Sequence, residues 1–252
     1  MRKRTLILIV LLLAAPILQA AQEWVFKEGR HEDFPEFVFA RLIYSGSFGG
    51  FGRDWATDYP AADRKFMWGV QRLTNIRLQI EENAIRIMDP DLFKYPFLYV
   101  VEPGRGLYLT EEQAKRLREY VDRGGFLMFD DFWGTAQWRN FASQMSKIFP
   151  DREVEEIPRD HEIFHTFYDI DRFMQVPNIN NGIRGGPTHQ ADGYVPHLLG
   201  IFDENRRLSV VMSFNSDLGD AWEWMDHPQY PEKYSGYAYR IGVNFIIYAM
   251  TH

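Results

Sequence analysis

The chain has 252 residues, 46% of them hydrophobic and 16% aromatic, with a net charge of −7 and no cysteine. The missing cysteines exclude disulfides, thiolate nucleophiles, lipidated anchors and cysteine-ligated zinc together. An acidic balance with no Lys/Arg-rich stretch after the first residues excludes nucleic acid as a partner, because a phosphate backbone needs a basic face.

Arg2, Lys3 and Arg4 open the chain, Leu6 to Leu13 is an unbroken aliphatic run continued by Ala14 and Ala15 to Pro16, and small residues follow at Ala20 and Ala21. Charge, apolar core and small-residue exit in that order predict a signal peptide over 1–21 and a periplasmic or secreted protein. The run is shorter than the roughly 20 residues of a comfortable bilayer span. The alternative is an uncleaved N-terminal anchor from Leu6 to about Leu18, which would then be the only membrane contact. Residues 22–36 are a polar lead-in, and 37–252 form a single domain.

Phe37 to Tyr44 predicts a first strand, followed by the glycine-rich loop Ser45 to Gly52. A helix begins near Pro60 and carries Phe66, Met67, Val70 and Leu73 on one face. Ala84 to Met88 forms a short strand and Phe97 to Val101 a buried one, which ends in the turn Glu102-Pro103-Gly104-Arg105-Gly106. Thr110 with Gln113 three residues on is a capping box. Its helix turns Ala114, Leu117 and Val121 inward and ends at Gly124-Gly125. Phe126 to Phe129 is a strand running into Asp130-Asp131-Phe132-Trp133-Gly134. Thr135 caps the next helix, whose inner residues are Trp138, Phe141, Ala142, Met145 and Phe149, and Pro150 stops it. Residues 176–193 read as a long loop. Leu198 to Phe202 and Leu208 to Phe214 form a strand pair around Asp203-Glu204-Asn205, and Tyr237 to Met250 is an apolar C-terminal helix. Strands alternating with amphipathic helices make this an α/β protein with a mostly parallel sheet covered by helices on both faces.

Ligands of open α/β sheets bind beyond the strand C-termini. The loop at 45–52 matches no phosphate-loop pattern and reads as flexible or functional alike. Asp130 and Asp131 are either a helix cap beside a solvated acid or a site, since adjacent carboxylates need a cation, a donor or solvent. With Glu102, Arg105 and Trp133 they are the expected ligand-binding residues. Asp217-Leu218-Gly219-Asp220-Ala221-Trp222-Glu223-Trp224 pairs carboxylates with indoles, as sugar sites do, and reads equally as an acidic turn with packed indoles.

His161-Glu162-Ile163-Phe164-His165 matches the zinc-protease pattern H-E-x-x-H. Pro158 and Arg159 stand where that pattern wants uncharged helical residues. Tyr168 and Asp171 occupy the glycine and histidine positions of its longer form, and the next glutamate is Glu204. The plainer reading is a short helix capped by Asp160 that buries Ile163, Phe164 and Phe167. No G-x-S-x-G elbow supports an α/β-hydrolase.

Several phrases occur together. They are the first strand with its glycine loop, Tyr95-Pro96-Phe97-Leu98-Tyr99, and Leu109-Thr110-Glu111-Glu112 through Gly124-Gly125-Phe126-Leu127. With them stand Asp130-Asp131-Phe132-Trp133-Gly134, Asp160-His161-Glu162-Ile163-Phe164-His165, and Asp217-Leu218-Gly219-Asp220 with Trp222-Glu223-Trp224. In these the chain resembles the bacterial domain-of-unknown-function family 4159 over almost all of its predicted exported part. The resemblance implies an amidotransferase-like fold, a three-layer sandwich of flavodoxin-like type also shared by trehalose-utilisation-like proteins. It carries over no activity. It places Asp130 or Asp131 where amidotransferase-like folds hold their nucleophilic cysteine, so amidotransferase chemistry is excluded.

The reading is therefore an exported, non-catalytic binding or scaffolding module for a carbohydrate or protein partner, with no metal and no cofactor assigned. The alternatives are a hydrolase using Asp130 and Asp131, or a zinc-dependent hydrolase using His161, Glu162 and His165.

Overall fold

Side chains alternate between two cores along the strands. In β3 (Phe97–Val101), Phe97, Tyr99 and Val101 join one core while Leu98 and Val100 join the other. In β4 (Phe126–Phe132), Phe126 and Met128 join the first core while Leu127 and Phe129 join the second. Strands apolar on both faces need cover on both faces. The computed structural model describes residues 35–44 and 54–252. The expected signal segment, nearly all of the lead-in and the glycine-rich loop lie outside the described residues. Residues Phe37–His252 cluster as one unit.

The other strands are β1 (Ala40–Ile43), β2 (Ala84–Arg86), β5 (Glu155–Glu156), β6 (His197–Phe202) and β7 (Leu208–Phe214). They form one seven-stranded sheet in the order β2-β1-β3-β4-β7-β6-β5. From β2 to β7 every pairing is parallel, with Tyr99 opposite Met128 and Met128 opposite Val211. The β6 and β5 pairings are antiparallel. The sheet is thus mostly parallel, with an antiparallel edge.

Helices α1 (Ala61–Leu73), α5 (Leu218–Glu223) and α6 (Glu232–Thr251) fill the first core through Phe66, Val70, Trp222 and Ile241. Helices α2 (Glu111–Asp122) and α3 (Gly134–Ile148) fill the second through Leu117, Val121, Phe141 and Met145. Both bonds of the α2 capping box are made: Thr110 Oγ1 accepts from the Gln113 amide at 3.2 Å, and Gln113 Oε1 accepts from the Thr110 amide at 3.0 Å. Among the described residues no helix is long and apolar enough to cross a membrane.

Several expectations are corrected. Strand β4 runs through Asp130-Asp131 to Phe132, so Trp133, not Thr135, stands at the N-cap of α3. That helix start is satisfied from a distance: Asn215 Oδ1 accepts from the Gly134 amide at 2.8 Å, and Asp192 Oδ1 from the Thr135 amide at 2.9 Å. The turn after β3 winds into one helical turn, Pro103–Gly106. The loop at 176–193 contains a short helix, α4 (Ile179–Arg184), capped by Asn178 and ended by Gly185 at φ 61°. Leu73 is 41% exposed because α1 stops there and Thr74 is extended, and Phe167 is 47% exposed.

Candidate functional site

The parallel strands β1, β3, β4 and β7 all end at the same sheet edge, where such sheets hold their ligands. The chain there departs from ordinary backbone geometry. Glu102 after β3 has φ 46°, Asp131 in β4 has 52°, Asn215 after β7 has 60°, and Asp58 ahead of α1 has 61°. Only a few per cent of non-glycine residues adopt this left-handed region. Asp and Asn enter it more readily than other residues, so the full cost of roughly 1–3 kcal/mol falls on Glu102; such residues concentrate at ligand clamps and active sites. The β4–β7 register also shifts between Phe129 and Phe132, a bulge of the kind that re-aims side chains.

Asp130 is wholly buried. Its Oδ2 accepts from the Tyr99 hydroxyl at 2.9 Å and from the Leu218 and Gly219 amides at 3.0 Å each, tying β3, β4 and the start of α5 together. Gly219 is required for this approach, since a Cβ there would lie 2.8 Å from both the Tyr99 hydroxyl and Asp58 Oδ2. Asp130 Oδ1 is out of solvent with no hydrogen-bond partner. Burial pushes its carboxyl up to about 7 although its hydrogen bonds pull the other way.

Asp131 Oδ1 accepts from the Trp133 indole at 2.7 Å. Burial, and then the Glu102 charge, hold the Asp131 carboxyl well above the usual carboxylate range. Glu102 accepts from Thr57 Oγ1 at 3.1 Å and from Arg105 Nη1 at 2.8 Å. The Arg105 side chain is 53% exposed. The neighbouring strand ends therefore pair Glu102 with Arg105 and Asp131 with Trp133, whose ring is buried. Asp130 turns toward Tyr99 and α5 and serves the framework.

Sequence reasoning missed Arg41, Thr57, Asp58 and Asp63, and kept the acids of 217–223 apart from Asp130 and Asp131. Arg41 is fully buried. Its Nε and Nη2 engage both oxygens of Asp63, and Nη1 donates to the Trp55 and Thr57 carbonyls. A lone arginine inside the apolar strand Phe37 to Tyr44 is the sequence signal for such a partner, because a buried charge must be paired. Asp217 Oδ1 caps α5 through the Asp220 amide at 2.9 Å, and Asp220 Oδ2 accepts from the Ile179 amide at 2.7 Å. Burial is the first cause raising Asp58, Asp217, Asp220 and Glu223, and mutual repulsion raises Asp58, Asp217 and Glu223 further. Trp222 is not open to a sugar: it is fully buried and stacked on Phe66 at 4.0 Å.

The H-E-x-x-H segment is not an α-helix. Glu162–Phe164 is a single 3-10 turn, and His161, not Asp160, caps it by accepting from the Ile163 amide at 3.2 Å. His165 Nδ1 faces Asp169 at 3.0 Å and Nε2 faces the Arg159 carbonyl at 3.1 Å. Those two acceptors, Asp169 first, raise its pKa and favour imidazolium, whereas a zinc ligand must be neutral. Purified protein is expected to carry only background zinc by elemental mass spectrometry, with no change in zinc or thermal midpoint in His165→Ala. Stoichiometric zinc lost on that substitution would restore the zinc reading.

The sequence profile of DUF4159, a domain of unknown function, matches residues 38–250, and the chain belongs to that family. No curated protein matches the chain.

Proposed function

We propose that this member of the DUF4159 family is an exported, non-catalytic binding module for a carbohydrate-class ligand, seated on a rim of Glu102, Arg105 and Asp131, with the buried Trp133 indole orienting the Asp131 carboxyl. The carrying observation is the left-handed backbone at Glu102 and Asp131, two neighbouring strand ends that each hold a buried carboxylate, at a conformational cost in the case of Glu102. The rim suits a polyhydroxylated compound: carboxylates accept hydroxyl protons, and the exposed Arg105 guanidinium donates. Export rests on the order of charge, apolar run and small residues at the N-terminus.

The parallel order 2-1-3-4 and then β7 supports a doubly wound, flavodoxin-like reading, in which the switch point would lie between β1 and β3. On this reading the amidotransferase-like relationship concerns fold alone. A hydrolase working through Asp130 and Asp131 has one observation in its favour, the elevated Asp130 carboxyl, which falls in the range of a general acid. Its Oδ2 is committed to three donors and the side chain has no access to solvent, so a binding role fits better.

Asp131→Asn keeps a residue that tolerates the left-handed region and an oxygen for the Trp133 indole. Glycan-array hits confirmed by calorimetry should weaken about tenfold or more in Asp131→Asn and in Arg105→Ala, the scale of losing a charged hydrogen bond. Neither thermal midpoint should fall appreciably below wild type, and that of Asp131→Asn should rise at neutral pH, because the raised carboxyl no longer has to ionise. An array without saturable binding, or hits untouched by both substitutions, would overturn the proposal.

A further inference from the structure

We infer that Asp58, Asp220 and Glu223 form a site for a hard divalent cation of the calcium class. One carboxylate oxygen from each lies within 4.8 Å of the others. Two oxygens on one calcium ion, each at 2.3–2.6 Å, lie no more than roughly 5 Å apart, so this set is already close enough to share an ion. Among the described residues it is the one cluster of histidine or carboxylate groups that meets this spacing.

The three side chains are delivered by separate constraints. Asp220 and Glu223 stand three apart on α5 and so share a helix face. Asp58 belongs to the segment that Arg41 clamps through the Trp55 and Thr57 carbonyls.

A second observation points to a missing positive partner. Asp58 Oδ2 is sealed from solvent and has no hydrogen-bond partner. It lies 2.8 Å from the Cβ position of Gly219, the residue before Asp220 on α5. Buried carboxylate oxygens are ordinarily satisfied.

Nearby protein cations make their close contacts elsewhere. The Arg41 guanidinium is spent on Asp63 and the two carbonyls. Lys65 Nζ donates to the Glu223 carbonyl at 2.7 Å and pairs with Asp226 instead of the Glu223 carboxylate. An all-oxygen set of three carboxylates favours calcium over magnesium, which usually takes one or two carboxylates and keeps its water. Asp58 and Glu223 are only partly buried, which leaves room for water to complete the shell.

The test is terbium luminescence on the purified full chain, with Tb³⁺ as the probe, excited through the neighbouring indoles and displaced by Ca²⁺. The inference expects saturable one-to-one emission that Ca²⁺ displaces, weakened at least about tenfold in Asp58→Asn and in Glu223→Gln, the scale at which metal-site lesions act. Glu204→Gln, an exposed acid in the turn between β6 and β7, should bind as wild type. Circular dichroism confirms that each variant is folded. Glu223→Gln, at a half-buried position, keeps the test open if Asp58→Asn fails to fold. Emission that does not saturate, or that both substitutions leave unchanged, would overturn the site and leave protons as the neutralising partner. Glycan binding measured in EDTA is scored separately, so its presence or absence bears on the rim and not on this site.

Discussion

Asp130→Asn is expected to stabilise the metal-free protein by about 4 kcal/mol at pH 8 and to leave it close to wild type at pH 4. The wild-type carboxyl is pushed up to about 7 in the folded state by burial. In the unfolded chain it titrates near its ordinary value of about 3.9. Because the folded value is the higher one, the stability this group contributes is complete below the unfolded value and is lost as pH rises through 7. About three pKa units at 1.36 kcal/mol each set the size of the loss. Asparagine carries no charge to desolvate. Its carbonyl oxygen still accepts from Tyr99, Leu218 and Gly219, and its amide donor replaces the oxygen that has no partner. Asp58, Asp131, Asp217 and Asp220 are shifted in the same direction, so the wild type should lose stability steadily from acid to neutral pH. Paired surface acids such as Asp151 and Asp203 act in the opposite sense, and comparing the two proteins at each pH cancels them. Urea unfolding in EDTA at pH 4, 6 and 8 provides the measurement. A difference that stays flat across this range would show that Asp130 keeps its charge in the fold.

What the sequence made legible was local. Thr110 and Gln113 lie three residues apart and announce their helix within a single turn, and both predicted bonds are present. Phe97 to Val101 is apolar on both faces and can only be a covered strand, which it is. The C-terminal helix and the strand pair at 198–214 follow from the same periodicity. Errors began where distant chain decides the outcome. Asp130-Asp131 reads as a turn because charge rarely enters a strand interior, yet Tyr99 and the start of α5 supply donors that let β4 continue through it. Thr135 looks like a cap, but Asn215 and Asp192, far along the chain, satisfy that helix start. The site suffered in the same way. Asp58 and Asp220 belong to segments with no shared pattern, and only the sheet brings their carboxylates to one edge.

The second large effect concerns Arg41 and Asp63, both fully buried, which join β1 to α1. Burial raises the Asp63 carboxyl despite the pull of Arg41, so desolvation outweighs the attraction of the pair. A pair of this kind is costly to break and cheap to replace. Asp63→Leu should therefore cost about 3–5 kcal/mol, since it leaves a guanidinium buried without its carboxylate. Arg41→Met should cost a similar amount, because it strands Asp63 and frees the carbonyls of Trp55 and Thr57. The double substitution Arg41→Met with Asp63→Leu should recover much of this, giving a coupling energy of about 2 kcal/mol or more in a double-mutant cycle by urea unfolding. Recovery will be incomplete, because the two carbonyls still lose their donor at about 1 kcal/mol or more. Those carbonyls flank the segment that presents Asp58, so the double variant should fold and yet bind terbium more weakly than wild type. A coupling energy near zero would mean that Arg41 stabilises the domain through the Trp55 and Thr57 carbonyls alone. In that case Asp63 is held in place by packing, and the clamp on Asp58 becomes the reason for placing an arginine inside β1.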